Sequence, residues 1–330
     1  MPYWYGGGLE WTGALPVGMT GWTADEMPTL EDETVVVTGA NSGLGLEGTE
    51  AFARKGATVV MACRSVERGE RAAAETREAV PDADLEVRRC DLADLESVET
   101  FAEGVREDYD AVDVLCNNAG VMAIPRQETA DGFEMQLGVN HLGHFALTGH
   151  LLPALRASAD EARVVTQSSG AHEMGTMDFD DLHGERSYGK WSAYGQSKLA
   201  NLLFTYELDW VLDSADVGDV TAVACHPGYA ATNLQYRGPR ESGSALRLAG
   251  MKVANAVLGQ SAAKGALPML FAATANRVSG GEYVGPGGLL DMRGHPEFQR
   301  SNDESYDRET ARRLWSVSED ETGVEYGLSA

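Results

Sequence analysis

The segment Tyr194-Gly195-Gln196-Ser197-Lys198 sets a phenol and an ammonium four positions apart, one turn along a common face if the segment is helical. That pairing suits proton transfer. A tyrosine ordinarily titrates near pKa ~10, and a lysine charge held beside it favours the phenolate, each unit of lowering corresponding to about 1.4 kcal/mol. A phenol tuned in this way can give a proton to a carbonyl oxygen or take one from an alcohol. The same spacing arises by chance on solvated helices, so its meaning depends on what else the chain carries.

A second chemical feature is Thr38-Gly39-Ala40-Asn41-Ser42-Gly43-Leu44-Gly45, between an apolar β-branched run at 34–38 and a helical pattern at 44–55. Glycines at such a turn let the backbone approach a pyrophosphate, which the free N–H groups and dipole of the following helix attract. The G-x-x-x-G-x-G spacing differs from G-x-G-x-x-G, but the strand-turn-helix context meets the same physical requirement. After the next apolar run, at 58–62, Cys63 stands where an NAD-binding protein would offer a carboxylate to the ribose, and Arg64 follows. A carboxylate there would repel a 2′-phosphate, whereas an arginine can pair with it. NADP(H) is therefore expected in preference to NAD, the plain alternative being a solvated arginine on a turn.

The elements that must position these groups alternate along the chain. Helical patterns at 66–79 and 95–107 follow apolar strands, with further strands expected at 85–89, 112–116, 163–166 and 220–225. A long helix is expected over 132–157, and the helix bearing Tyr194 and Lys198 runs to about 212. Such alternation predicts an α/β fold, a single Rossmann-type doubly wound parallel sheet flanked by helices on both faces. Residues 1–29, with Trp4, Trp11 and Trp22, show no periodicity and read as a partly ordered extension to a single catalytic domain at 30–330. A substrate lid is expected over 232–262, with an apolar-faced helix at 244–258. A short strand at Tyr283 and Val284 and a C-terminal helix at 307–315 complete the pattern.

Composition narrows the class of protein. The chain has 330 residues, 43% of them apolar, with no uninterrupted apolar run of the ~18 residues a membrane span requires. The N-terminus carries no secretory pattern, and Cys63, Cys90, Cys116 and Cys225 occur singly, so a reduced, cytoplasmic protein is expected. A formal charge of −25 with five lysines argues against nucleic acid or anionic lipid as a partner. The same balance resembles proteins of halophiles, where molar salt screens repulsion over about 3 Å; an acidic mesophilic enzyme is the alternative.

Four motifs in order, joined by a fifth, make the chain resemble the short-chain dehydrogenase/reductase family. They are the Thr38 to Gly45 turn, Asn117-Asn118-Ala119-Gly120, Ser168-Ser169, Tyr194 with Lys198, and Pro227-Gly228. The wording of Cys63-Arg64-Ser65, Phe179-Asp180-Asp181-Leu182 and Ser197-Lys198-Leu199-Ala200-Asn201, with a late Leu314-Trp315, is most similar to its retinol dehydrogenase and protochlorophyllide reductase branch. The resemblance implies a catalytic set of Asn140, Ser169, Tyr194 and Lys198, with Ser168 the competing serine. Tyr194 would exchange the proton, Lys198 would lower its pKa and hold the nicotinamide ribose, Ser169 would hydrogen-bond the substrate oxygen, and Asn140 would anchor a relay water. Cofactor contacts implied are Gly39, Asn41, Ser42, Gly43, Leu44, Gly45, Arg64, Asp91, Leu92, Asn117, Ala119, Gly120, Pro227, Gly228 and Thr232, together with Tyr194 and Lys198.

The expected reaction is hydride transfer between NADP(H) and an apolar alcohol or carbonyl substrate. Reduction of a carbon-carbon double bond and a non-catalytic NADP(H)-binding regulator are the alternatives. Residues Met174 to Trp191 are rich in aromatic and Met side chains and suggest an apolar pocket. A homodimer or homotetramer is compatible with the pattern. His141, His144, His172 and His226 form no ligand pattern, so no metal is expected.

Overall fold

The computed structural model describes residues 21–215, 217–228, 261–288 and 291–328. Trp4, Trp11, Thr232 and all but the last two residues of the expected lid lie outside them. Eight strands form one sheet: β1 Thr34–Thr38, β2 Thr58–Cys63, β3 Asp84–Arg89, β4 Val114–Asn117, β5 Ala162–Gln167, β6 Val220–Cys225, β7 Tyr283–Pro286 and β8 Pro296–Gln299. Their order is β3-β2-β1-β4-β5-β6-β7-β8, with every pairing parallel except β7 with β8. The order reverses between β1 and β4, which is where a doubly wound sheet opens a crevice at the carboxyl ends of its strands.

The helices are α1 Gly43–Arg54, α2 Val66–Ala79, α3 Leu95–Asp108, a composite α4, α5 Lys190–Ser214, α6 Ala262–Thr274 and α7 Arg308–Thr322. The composite rod α4 consists of Met135–Leu137, a π segment Gly138–Leu142 and Gly143–Leu155. Because strand side chains alternate, Val35 and Val37 bury on one face with Phe52 of α1, Ala73 of α2 and Phe271 of α6. Val36 buries on the other with Phe101 of α3, Phe145 of α4 and Phe204 of α5. Each fully buried Phe contributes about 1.5–3 kcal/mol, so both faces of the sheet are held independently.

The folded body differs from the sequence expectation at its start, at its last helix and at one sheet edge. Trp22 packs edge-on against Phe271 at 5.2 Å, and Met27 and Leu30 are buried in the same core, so the folded body begins ahead of the expected boundary. Helix α7 runs seven residues past Trp315 because its end has tertiary partners: Ser318 Oγ lies 2.8 Å from His141 Nε2, and Glu321 Oε1 lies 2.9 Å from His183 Nε2. The edge strand β8, unforeseen, adds through main-chain pairing to β7. Among the described residues, no helix is long and apolar enough to cross a membrane.

Candidate active site

At the carboxyl ends of β1, β2 and β4 a groove of about 240 Å³ is lined by the β1–α1 turn, the β2–α2 junction and the segment after β4. Gly39 and Gly43 take left-handed φ values of +67° and +58°, which only glycine adopts without strain. A Cβ on Gly45 would lie 2.5 Å from the Gly39 carbonyl oxygen and 2.6 Å from Asn118 Nδ2, so the turn closes against the β4 segment only without a side chain there. Ser65, Asp94, Ser261 and Asp307 each accept a backbone N–H at the start of their helices, whereas Ser42 makes no such bond at α1. The start of α1 thus faces the groove uncapped by its own side chain, as a phosphate site requires.

Thr38 ties the two strand ends together. Its Oγ1 accepts the N–H groups of Asn118 and Ala119, both at 2.9 Å, while Asn118 Nδ2 donates to the Thr38 carbonyl at 2.7 Å. Thr38 Oγ1 also lies 2.9 Å from His144 Nε2, and His144 Nδ1 lies 3.0 Å from the Asn140 carbonyl. A carbonyl only accepts, so Nδ1 carries the proton and Nε2 accepts from the threonine hydroxyl. Burial pushes His144 down to about 4, which keeps it neutral in this role.

The proton-transfer residues converge beside the Gly120 wall of the groove. Tyr194 is buried on α5, and the Ser169 hydroxyl favours its phenolate form. Ser168 is turned away, its hydroxyl donating to the Lys198 carbonyl at 2.8 Å, which separates the two candidate serines. Lys198 Nζ donates to the Gln167 carbonyl at 2.9 Å and would sit 3.7 Å from a Cβ on Gly120. Asn140, in the π segment of α4, is fully engaged: Oδ1 accepts from Val121 N–H at 2.8 Å, and Nδ2 donates to the Val121 carbonyl and to Ser197 Oγ, each at 2.9 Å.

Burial raises the Tyr194 phenol above its ordinary value, and the group that pulls it back is the Ser169 hydroxyl rather than the Lys198 charge. Lys198 itself is lowered to about 8 by burial. Its ammonium is directed at the Gln167 carbonyl, so its action on the phenol in this geometry is indirect.

Residues 33–241 match the family model described as short chain dehydrogenase. The chain belongs to that family. Human retinol dehydrogenase 13 is 40% identical over 310 residues, covering 93% of this chain and 89% of the relative. Human retinol dehydrogenase 14 is 38% identical, with coverages of 89% and 88%. A solved structure of an uncharacterised protein from Mycobacterium paratuberculosis is 42% identical and has a TM-score of 0.77, covering 94% of this chain and 100% of that one. A short chain dehydrogenase of Escherichia coli complexed with NADPH is 25% identical, with a TM-score of 0.52 over 64% of this chain and 82% of its own. This short-chain dehydrogenase is accordingly an oxidoreductase of alcohol and carbonyl groups with a nicotinamide-binding Rossmann fold.

Most of the expected cofactor residues of this dehydrogenase line one groove: Gly39, Asn41, Ser42, Gly43, Leu44, Gly45, Arg64, Asp91, Leu92, Ala119 and Gly120. Asn117 does not line it. Its side chain points to α4, Nδ2 donating to Thr148 Oγ1 at 2.9 Å, and Asn118 lines the groove instead. Gly228, at φ +61°, closes on Met292 and Pro286, and neither it nor Pro227 lines the groove. Cys63 keeps its thiol in the core, where burial pushes it up to about 12. Arg68, unforeseen, lines the groove beside Arg64 from the first turn of α2.

Of the apolar stretch after Ser169, Met177 and Phe179 pack under α7, and Tyr188 spends its hydroxyl on Glu134 and the Ile124 carbonyl. Met174 and Trp191 are the exposed members, at 61% and 51%, and the Trp191 ring stands edge-on to Tyr194 at 6.2 Å. His141 and His144 are consumed by packing and hydrogen bonds, and His172 and His226 bond Asn302 and Gln299.

Proposed function

We propose that this dehydrogenase interconverts an apolar alcohol and its carbonyl compound with NADP(H). The observation that carries the reading is the buried Tyr194 phenol with Lys198 one helical turn on, its ammonium against the Gly120 wall of the glycine-lined groove. The nicotinamide, when bound, supplies or accepts the hydride. Ser169 holds the substrate oxygen, and Tyr194 gives its proton to that oxygen in reduction or takes it in oxidation. Lys198, about 8 when buried, is positioned to carry charge beside the ribose-facing wall at Gly120 and to reload the phenol. Asn140, its side chain fixed by Val121 and Ser197, would anchor a relay water.

The residues fit the cofactor on two counts. Gly39, Gly45 and Gly120 leave the backbone bare where a Cβ would collide, and α1 presents an uncapped N-terminus. Arg64 and Arg68 border the groove, and neither is among the arginines that form ion pairs in the described residues. Two guanidinium groups at the β2–α2 junction, with Cys63 in place of a carboxylate at the end of β2, support a 2′-phosphate and hence NADP(H) over NAD. Exposed Trp191, edge-on to the Tyr194 ring, and exposed Met174 support an apolar substrate.

Purified protein with NADPH, presented at molar salt with a panel of aldehydes, ketones, quinones and all-trans-retinal, tests the reading. Reduction of an apolar carbonyl, abolished in Tyr194→Phe, is expected. Turnover that survives Tyr194→Phe would remove the basis for it.

A further inference from the structure

Ser169 begins a short 3₁₀ segment, Gly170–Met174, that ends against α5 at Gly175. The segment is bonded from end to end. Ser169 Oγ accepts Ala171 N–H, the Ser169 carbonyl accepts His172 N–H at 3.0 Å, and His172 Nδ1 lies 2.7 Å from that same carbonyl. Gly175 N–H donates to the His172 carbonyl at 2.9 Å, and Asn302 grips His172 from outside. A displacement at Gly175 is therefore passed back to Ser169.

Gly175 meets α5 at Gly195, the residue after Tyr194. A Cβ on Gly175 would lie 2.3 Å from the Gly195 carbonyl oxygen and 2.7 Å from its carbon. A Cβ on Gly195 would lie 3.0 Å from the Ala171 carbonyl oxygen and 3.1 Å from Gly175 N. Neither glycine is needed for its conformation. Gly175 sits at φ −81°, ψ 142°, open to any residue, and Gly195 lies inside α5, where alanine is intrinsically preferred. What the pair allows is contact of backbone with backbone.

We propose that Gly175 and Gly195 are positioning residues, whose contact sets how closely the Ser169 hydroxyl approaches the Tyr194 phenol. This rests on the roles proposed above for Ser169 and Tyr194. A catalytic group displaced by about 1 Å loses on the order of 100-fold in turnover. Gly175→Ala collides with backbone and must shift the segment, so kcat is expected to fall about 100-fold with cofactor affinity kept within about twofold. Gly195→Ala, whose contacts are looser, is expected to lose less, about tenfold, and serves if Gly175→Ala fails to fold.

The experiment measures kcat, KM and the pH profile of oxidation for both variants, alone and in a Ser169→Ala background, on the panel substrate that the parent turns over fastest. The apparent pKa of the kcat profile should rise in each glycine variant, because the Ser169 hydroxyl no longer supports the phenolate. In the Ser169→Ala background the glycine changes should cost less than about twofold further. Full additivity on Ser169→Ala, or an unchanged pH profile, would overturn the inference. Ser169→Ala without effect on turnover would instead strike the roles assigned to Ser169 and Tyr194, so the two failures are distinguishable.

Discussion

Replacing Arg64 and Arg68 by Ala, singly and together, tests the cofactor reading most directly. Both guanidinium groups are exposed, border the groove and form none of the ion pairs among the described residues, so each is free to meet a 2′-phosphate. One charge-assisted contact contributes about 1.5–3 kcal/mol, and 1.4 kcal/mol is tenfold in affinity. Exposure and salt screening place both contacts at the low end of that range. Each single change should then weaken NADPH about tenfold, and the double change about 100-fold, with NADH affected less than about threefold. Titration of intrinsic protein fluorescence with each cofactor, at low and high KCl, reads this directly, and the NADPH advantage of the parent should shrink as salt rises. An equal loss for both cofactors would show that the arginines hold the turn or the pyrophosphate and not the 2′ position.

Tyr194→Phe removes only a hydroxyl from a buried ring, so the fold and NADPH affinity should persist while kcat falls ~10²- to 10⁴-fold; a comparable loss of cofactor affinity would contradict the role. Burial raises Glu33 to about 7, with Asp113 and Asp160 adding to it and Arg163 opposing. Because the folded value lies above the ordinary 4.5, its stabilising contribution is complete below pH 4.5 and is lost as pH rises through about 7. Glu33→Gln should therefore melt higher than the parent at pH 8, with the gap closing toward pH 4.5, and equal melting temperatures at both ends would refute it. With 51 acidic against 26 basic residues, melting temperature should climb from low salt to molar KCl as repulsion is screened; a flat dependence would leave the acidic surface without a role in stability.

The parts of this dehydrogenase legible in one dimension are those whose signal is local. Alternating apolar runs and helical patterns predicted the doubly wound sheet, because a parallel strand buried on both faces must be apolar along its length. The glycine turn and the Tyr194–Lys198 spacing were legible for the same reason: backbone approach and one-turn proximity are properties of a few consecutive residues.

Contacts across the chain were decided only by the tertiary structure. The choice of Ser169 over Ser168 depends on which hydroxyl is already spent on the Lys198 carbonyl and which acts on the phenol, a matter of strand-end geometry that identical neighbouring residues do not encode. Asn118 lines the groove in place of the expected Asn117 because successive residues at a strand end point to opposite sides. Helix α7 extends beyond its intrinsic signals because His141 and His183, far away in sequence, complete the polar groups of its last turns. The phenol, expected to be tuned by Lys198, is raised by burial and relieved by Ser169, since burial is a property of the packed molecule and has no expression in the spacing of two residues.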